Sequence, residues 1–383
     1  MSSWKTVALG EVAAVERSGV QPEQITAGTT YVGLEHIESG GAFLCPPLVD
    51  EGELASAKLR FTERHVLYGK LRPYLAKIAC PDFSGICSTD ILPILPGPKI
   101  ERRFLFHFLR QPAMVDYANS RAVGVNLPRL SPSLLAQFEI PLPPLLEQRR
   151  ITEVLDRAEA LRAKRRAALA RADSLTQAIF LDLFGDPIRN ERAWPTVRVS
   201  EACELVRGSS PRPQGDARYF GGPVPRLMVA DITRDGLLVT PRIDSLTLEG
   251  AKRSRPVAAG TVVMAVSGNV GLVSRLAIDA CVHDGFVAFG GLNELRLDPI
   301  FFLATLHFSR AAHEQNKAGA IFINLTTDNI KGLRILEPPI ALQREFASRF
   351  AAVEKLKAAH RASLAEMDAL FASLQHRAFR GEL

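Results

Sequence analysis

Pro143-Pro144-Leu145-Leu146-Glu147-Gln148-Arg149-Arg150-Ile151 returns, 195 residues later, as Pro338-Pro339-Ile340-Ala341-Leu342-Gln343-Arg344-Glu345-Phe346. The same offset carries Gly124 to Gly319, Leu130 to Leu325, Ile140 to Ile335, Arg166 to Arg361, Asp173 to Asp368 and Phe184 to Phe379 without a gap. The beginnings correspond as well: Trp4-Lys5-Thr6-Val7 resembles Trp194-Pro195-Thr196-Val197 at an offset of 190. A repeat of this length sets the architecture before any local reading does. Between the anchors the halves share little, so the order is variable block, constant block, variable block, constant block. Any two amphipathic helices resemble each other through periodicity. Periodicity does not supply a shared Pro-Pro before each helix, a Gln-Arg after it, or a gapless register.

Each constant block reads as a long helix, at 144–186 and 339–383. A Pro-Pro pair suits a helix start, where a fixed φ and a missing N–H do no harm. Apolar residues recur at Ile151, Leu155, Ala158, Leu161, Leu169, Ala172, Leu175, Ile179 and Leu183. In the second block they recur at Phe346, Phe350, Val353, Leu356, Leu364, Met367, Leu370 and Leu374. Both stripes have a period near 3.6, which gives each helix one apolar face. Gly185-Asp186-Pro187 stops the first helix and Gly381 ends the second. At 1.5 Å per residue a helix over 145–184 is about 60 Å long. That is too long to hide a stripe in one small domain. The sister helix is the natural cover, in an antiparallel coiled-coil-like pair. Arg162, Lys164, Arg165 and Arg166 read as a solvated face, with phosphate contact as the alternative.

The variable blocks, 1–143 and 191–338, read as mixed α/β domains. Val66-Leu67-Tyr68 and 261–266 are β-rich runs between Gly, Pro and Asn turns. One helical run closes each block, from Phe104 and from Phe301. A glycine-bearing loop follows each run, at 122–129 and 318–327. Glycine lets a backbone approach a phosphate closely. Asn126, Arg129 and Ser131, like Asn324, Thr326 and Thr327, offer donors to phosphates or base edges. A turn that caps a helix, through Ser131 or Asp328, explains the same residues. A second candidate is Tyr68-Gly69-Lys70-Leu71-Arg72-Pro73-Tyr74, where cations alternate with aromatics. Its counterpart, Ser267-Gly268-Asn269, is polar and uncharged.

Composition narrows the field. The 383 residues are 47% hydrophobic and 23% charged, ordinary for packed domains, with a net charge of +6. A mild basic excess fits a polyanionic partner without requiring one. Five cysteines with no Cys-x-x-Cys pair, and histidines without ligand spacing, point to reduced thiols and no zinc or other metal site. Met1-Ser2-Ser3-Trp4-Lys5 lacks the apolar stretch of a signal peptide. No run reaches the roughly 20 apolar residues of a membrane span. A cytoplasmic location is expected. The Pro-Pro pairs lack the Asn/Asp-Pro-Pro-aromatic order of adenine methyltransferases, and no phosphate-binding GxxxxGK[ST] loop is present. Glu35, His36, Asp90 and His283 have no convergent partner at a known catalytic spacing. No catalytic residue is assigned.

Trp4-Lys5-Thr6-Val7-Ala8-Leu9-Gly10-Glu11-Val12, the Tyr68–Tyr74 segment, Cys87-Ser88-Thr89-Asp90 and the run from Leu127 through Ile151 together resemble the specificity subunits of type I restriction-modification systems, the HsdS family. The second copy is more degenerate, with Ala341 and Leu342 where the first has Leu146 and Glu147. The resemblance implies an α+β chain in which two target recognition domains are separated by two antiparallel helices in an internal pseudo-two-fold repeat. It implies double-stranded DNA as partner, each domain reading one half of an asymmetric split site. It implies docking of two methyltransferase subunits, here assigned to Leu145, Gln148, Arg149, Ile151, Gln343, Arg344 and Phe346. A restriction subunit can join. S-adenosylmethionine is expected on the partner methyltransferase, with no cofactor and no catalysis on this chain.

Overall fold

The computed structural model describes residues 4–315 and 326–383. They form two compact units, residues 1–166 with 362–383 and residues 167–361. The grouping does not follow the four sequence blocks. Each unit takes one variable block and a part of each long helix, Leu145–Phe184 and Ile340–Ala378.

In the first unit, Thr6–Ala8 pairs with Glu139–Pro141 and ties the start of the block to the approach to the first long helix. A four-stranded antiparallel sheet follows the order Ala13–Val15, Ile91–Pro96, Val66–Gly69, Ile78–Ala79. Successive side chains in a strand face opposite ways. Val66, Tyr68, Leu92 and Ile94 therefore join the core shared with the helices, while Leu67 and Ile91 pack with Val32, Ile37, Phe61 and Cys87 on the other face. A second sheet has the order Gly19–Val20, Lys58–Phe61, Gly85–Cys87, Thr29–Val32, Leu48–Val49, with one parallel pairing, Tyr31 to Ile86. The helical run is Arg102–Leu109, capped by Glu101, whose carboxylate accepts from the Phe104 N–H at 2.6 Å. Its Phe104 and Phe108 meet Phe379 with ring centres 5.0 and 5.7 Å apart.

The second unit repeats the plan. Thr196–Arg198 pairs with Arg334–Leu336. Its first sheet has the order Glu204–Arg207, Phe286–Gly290, Val262–Ala265, Val273–Leu276, Leu238–Val239. Its second has Asp244–Leu246, Phe220–Leu227, Ala280–Val282, Arg255–Val257, again with one parallel pairing, Arg226 to Cys281. Two blocks with little common sequence thus share strand order and register.

The helices run antiparallel within each unit. In the first, Arg162 Nε donates to Asp368 Oδ1 at 2.6 Å and Arg150 Nη2 to the Leu383 carbonyl at 2.8 Å, so the numbers fall on one helix as they rise on the other. In the second, Lys357 meets Asp173 at 2.7 Å and Phe346 meets Phe180 with ring centres 5.5 Å apart. The apolar stripes need correction. Ile151, Leu155, Ala172, Phe346, Phe350 and Val353 are buried, but Leu161, Leu175, Leu356 and Leu370 are about half exposed. Charged side chains cover the middle of the seam instead: Arg162 lies over the Phe371 ring at 4.3 Å, and Lys357 is held by Glu354 at 2.5 Å and by Asp173. Arg162 is therefore a packing residue and not part of a solvated face.

Candidate nucleic-acid interface

The Gln-Arg pair that marks the repeat is a junction. The Gln148 carbonyl accepts from the Glu101 N–H at 2.8 Å, and its amide donates to the carbonyls of Lys99 at 3.0 Å and Pro143 at 2.8 Å. Gln343 accepts from Asp298 N–H at 2.8 Å and donates to Arg296 at 2.9 Å and Pro338 at 2.7 Å. Each amide clamps the helix start to the turn before the block's own helix. Gln148 and Gln343, with Ile151 and Phe346, have no exposure, which withdraws these four from the expected partner surface. Leu145, Arg149 and Arg344 are exposed beside them.

The two DNA candidates in the first block are neighbours. The Lys70 carbonyl accepts from the Leu130 N–H at 2.9 Å, and the Arg72 N–H donates to the Pro128 carbonyl at 2.7 Å. Val123 and Arg129 exchange backbone hydrogen bonds at 3.0 and 2.9 Å. The shared ledge presents Arg72, Asn126 and Arg129 as exposed side chains, with Lys70 half-buried. Gly124 has φ +116°, and Val125 at the loop tip is 99% exposed. Asp90 sits under this ledge. It binds Arg129 through both oxygens, Nε to Oδ1 at 3.1 Å and Nη2 to Oδ2 at 3.5 Å, and lies 3.9 Å from Lys70 Nζ. Hydrogen bonding and charge from Asp90 push the Arg129 pKa up.

One expectation changes here, and for Ser131 the capping alternative holds. Tyr68 is 3% exposed in a central strand, facing the helical core, and burial pushes its phenol pKa well up. It offers nothing to DNA. Ser131 is a helix cap, its Oγ accepting from the Leu134 N–H at 3.2 Å. Asp90 belongs to the segment that carried the family resemblance. Its pairing was hidden because 20 residues separate it from Lys70 and 39 from Arg129.

At the same strand end in the second unit, the Val266 N–H donates to the Gly285 carbonyl at 2.8 Å, as the Lys70 N–H donates to the Asp90 carbonyl at 2.9 Å. Lys70 thus corresponds to Val266, Asp90 to Gly285 and Arg72 to Gly268. Ser267 and Asn269 are exposed, and Asn269 Oδ1 accepts from Arg310 at 2.7 Å. Thr326, not Asp328, caps the helix Thr327–Gly332: its Oγ1 accepts from Asn329 N–H at 3.2 Å. Thr327 is half-buried in the first turn of that helix. Asn324, with the repeat anchors Gly319 and Leu325, lies outside the described residues. Polar weight in this unit sits elsewhere, around Arg226. That side chain is 7% exposed and donates to Asp244 at 2.6 Å and Ser210 at 3.1 Å, while Ser210 donates to Asp284 at 2.6 Å. Among the described residues no group of three or more His, Cys, Asp or Glu could hold a metal, and no helix is long and apolar enough to cross a membrane.

A family model described as the type I restriction modification DNA specificity domain matches residues 1–171. The specificity subunit of the type I restriction enzyme EcoDI from Escherichia coli is 31% identical over 189 residues, 48% of this chain. Residues 1–171 thus carry the DNA specificity domain of type I restriction-modification systems. It spans 42% of the length of that E. coli relative. Two solved structures share the fold of this chain. One, from work on complex assembly and conformational transition of the type I R-M system, has a TM-score of 0.58 and 24% identity, covering 100% of this chain and 99% of that one. The type I restriction-modification S subunit from M. genitalium has a TM-score of 0.61 and 12% identity, covering 98% and 96%. The matched stretch ends inside the first long helix. The second unit, beyond that stretch, repeats its strand order.

Proposed function

We propose that this chain reads a split, asymmetric double-stranded DNA target, one half-site per unit, and docks methyltransferase subunits that carry the chemistry. The observation that carries the reading is the pair of equivalent strand ends. One backbone pattern supports Lys70, Arg72, Asp90 and Arg129 in the first unit, and Val266, Gly268 and Gly285 in the second. A common scaffold with unlike side chains at one place is what two dissimilar half-sites require. Phosphate contacts position such a protein and base contacts specify its sequence. Arg72, Asn126, Arg129, Ser267 and Asn269 are the exposed donors and acceptors for both tasks, with Lys70 beside them. Thr326 and Thr327 contribute through the helix start, which Thr326 caps.

Leu145, Arg149 and Arg344, exposed where the long helices begin, are the proposed contacts for methyltransferase subunits, two per chain. S-adenosylmethionine belongs to those subunits, and a restriction subunit can complete the assembly. This work takes place where the chromosome is, in the cytoplasm.

The test is a binding measurement on the complex of this chain with its methyltransferase, using duplexes based on the methylated motif of the host genome. Scrambling either half-site is expected to weaken binding by 10²-fold or more, since each mismatched pair typically costs about 1–3 kcal/mol. Full affinity for a duplex with one intact half-site would overturn the reading. Arg72→Ala is expected to flatten the dependence of log affinity on log salt by about 0.9, the value of one phosphate contact.

A further inference from the structure

We infer that Asp90 is a specificity-determining residue of the first unit, a carboxylate that competes with DNA phosphates for Arg129 and Lys70. The inference rests on the proposed DNA-reading function and deepens it. The two cations lie on the exposed ledge built from residues 70–72 and 128–130, yet neither is free. Asp90 takes the Arg129 guanidinium through both oxygens, at 3.1 and 3.5 Å, and stands 3.9 Å from the Lys70 ammonium. Its own place is fixed from behind. The Asp90 N–H donates to Ser88 Oγ at 3.3 Å, and the Asp90 carbonyl accepts from the Lys70 N–H at 2.9 Å.

A phosphate arriving here exchanges one anion for another, and it also meets the field of the displaced carboxylate. A duplex that offers only phosphates gains little from such an exchange. A cognate duplex also engages the neighbouring loop through its bases and can complete it. A repulsive element that penalises the wrong partner more than the right one raises discrimination at some cost in affinity. The equivalent position in the second unit carries no carboxylate. Gly285 occupies the equivalent position, and a Cβ there would lie 2.4 Å from Ser267 Oγ and 2.5 Å from His283 Cε1, so that site has no room for a carboxylate.

The experiment uses the complex with its methyltransferase, one duplex carrying the target and one of scrambled sequence. Asp90→Asn keeps the shape and removes the charge. It is expected to tighten scrambled-duplex binding about 3- to 10-fold at 0.1 M salt and to steepen its salt dependence by about 1 to 2, as one or two cations become available to phosphates. Target binding is expected to change less, so the ratio of the two affinities falls. Asp90→Glu retains the charge and is expected to retain most of the ratio. A merely structural role predicts the opposite, with both affinities weakened together and no steeper salt slope; that result overturns the inference. Arg129→Ala separates the two levels of the argument. If it leaves both duplexes unaffected, the ledge does not meet DNA and the reading fails along with the inference. If it weakens binding while Asp90→Asn leaves the ratio unchanged, only the role of Asp90 is overturned.

Discussion

Gln148 and Gln343 hold the same three kinds of backbone partner at nearly the same distances. Lys70 and Val266 differ in size and charge, and among the described residues they share one backbone hydrogen bond. The contrast separates two jobs within one duplicated fold. Where the chain must pass from sheet to helix, a buried amide saturates a fixed set of backbone groups; only Gln and Asn offer one acceptor and two donors in one planar group, and Gln has the longer reach. Where the strand ends at the ledge, backbone bonds hold the geometry and accept unlike side chains, Lys70 beside Asp90 in one unit and Val266 against the core in the other. Residues could diverge there without disturbing the fold beneath.

The comparison is open to attack, first in the core. Ile151 and Phe346 occupy equivalent positions, and both have no exposure. Phe346→Ala is expected to cost about 3–5 kcal/mol and Ile151→Ala about 2–4 kcal/mol, from lost transfer energy and the cavity left behind. Phe346 also sits within a ring cluster with Phe180, Phe184 and Phe350, which collapses poorly around a void. Denaturant unfolding of the two variants measures both values. Equal costs would mean that the two units are packed alike despite the ring cluster.

Next come the clamps. Gln148→Leu and Gln343→Leu each remove the partner of one N–H and two carbonyls at a largely buried junction. Each is expected to destabilise by about 2–4 kcal/mol, a cost set by unmet buried polar groups. Because the partner sets match, the two costs should agree to within about 0.5 kcal/mol by the same unfolding measurement. A large inequality would show that the likeness is geometric and not energetic.

Much of this was open to reading in the residues. Pro143-Pro144 and Pro338-Pro339 announced the helix starts, and the gapless offset of 195 announced the duplication. The kinship of the variable blocks was not legible. Strand pairing is a backbone property and survives replacement of Tyr68 by Met264 or Lys70 by Val266. The cap at Thr326 instead of Asp328 is a shift of two residues, and neighbouring Ser, Thr and Asp are near-equivalent caps. The exposure of Leu161 and Leu356 depends on which charged side chain folds over the seam, and periodicity does not encode that.

A smaller effect comes from a polar cluster that only the first unit holds. His107 Nε2 donates to Asp156 at 2.7 Å, and Arg103 also binds that carboxylate. The matching positions in the second unit are Ala304, Ile300 and Ala351. Burial raises the Asp156 pKa, but the His107 and Arg103 hydrogen bonds outweigh it and hold the group at about 2. That is below its ordinary 3.8, so the stability it adds is present above pH 3.8 and lost as pH falls toward 2. Burial also lowers the His107 pKa below 6.5, so its contribution too is lost as pH falls below 6.5. Asp156 is 35% exposed, and after allowance for solvent screening its share is about 1 kcal/mol. Melting curves between pH 7 and 3 should show Asp156→Asn losing less stability on acidification than the parent. A parallel decline in both would remove this asymmetry.

The smallest effect tests the ledge itself. Arg72 has φ +52° and its counterpart Gly268 has φ +71°, so both units make the same left-handed turn. Glycine adopts that backbone freely, whereas a side chain there costs about 1 kcal/mol. The first unit therefore carries an arginine where the backbone favours glycine, and such strain persists where the side chain has a use. Arg72→Gly is expected to leave stability unchanged or raise it by up to about 1 kcal/mol, the relief of strain being partly offset by the freer unfolded chain. The same change should weaken DNA binding by the complex and flatten its salt dependence by about 0.9. Gly268→Arg should cost about 1 kcal/mol in the second unit, and the reciprocal pair of unfolding measurements fixes the sign. Should Arg72→Gly destabilise instead, the guanidinium supports the fold of the ledge, and its exposure would no longer argue for a role in contacting phosphate.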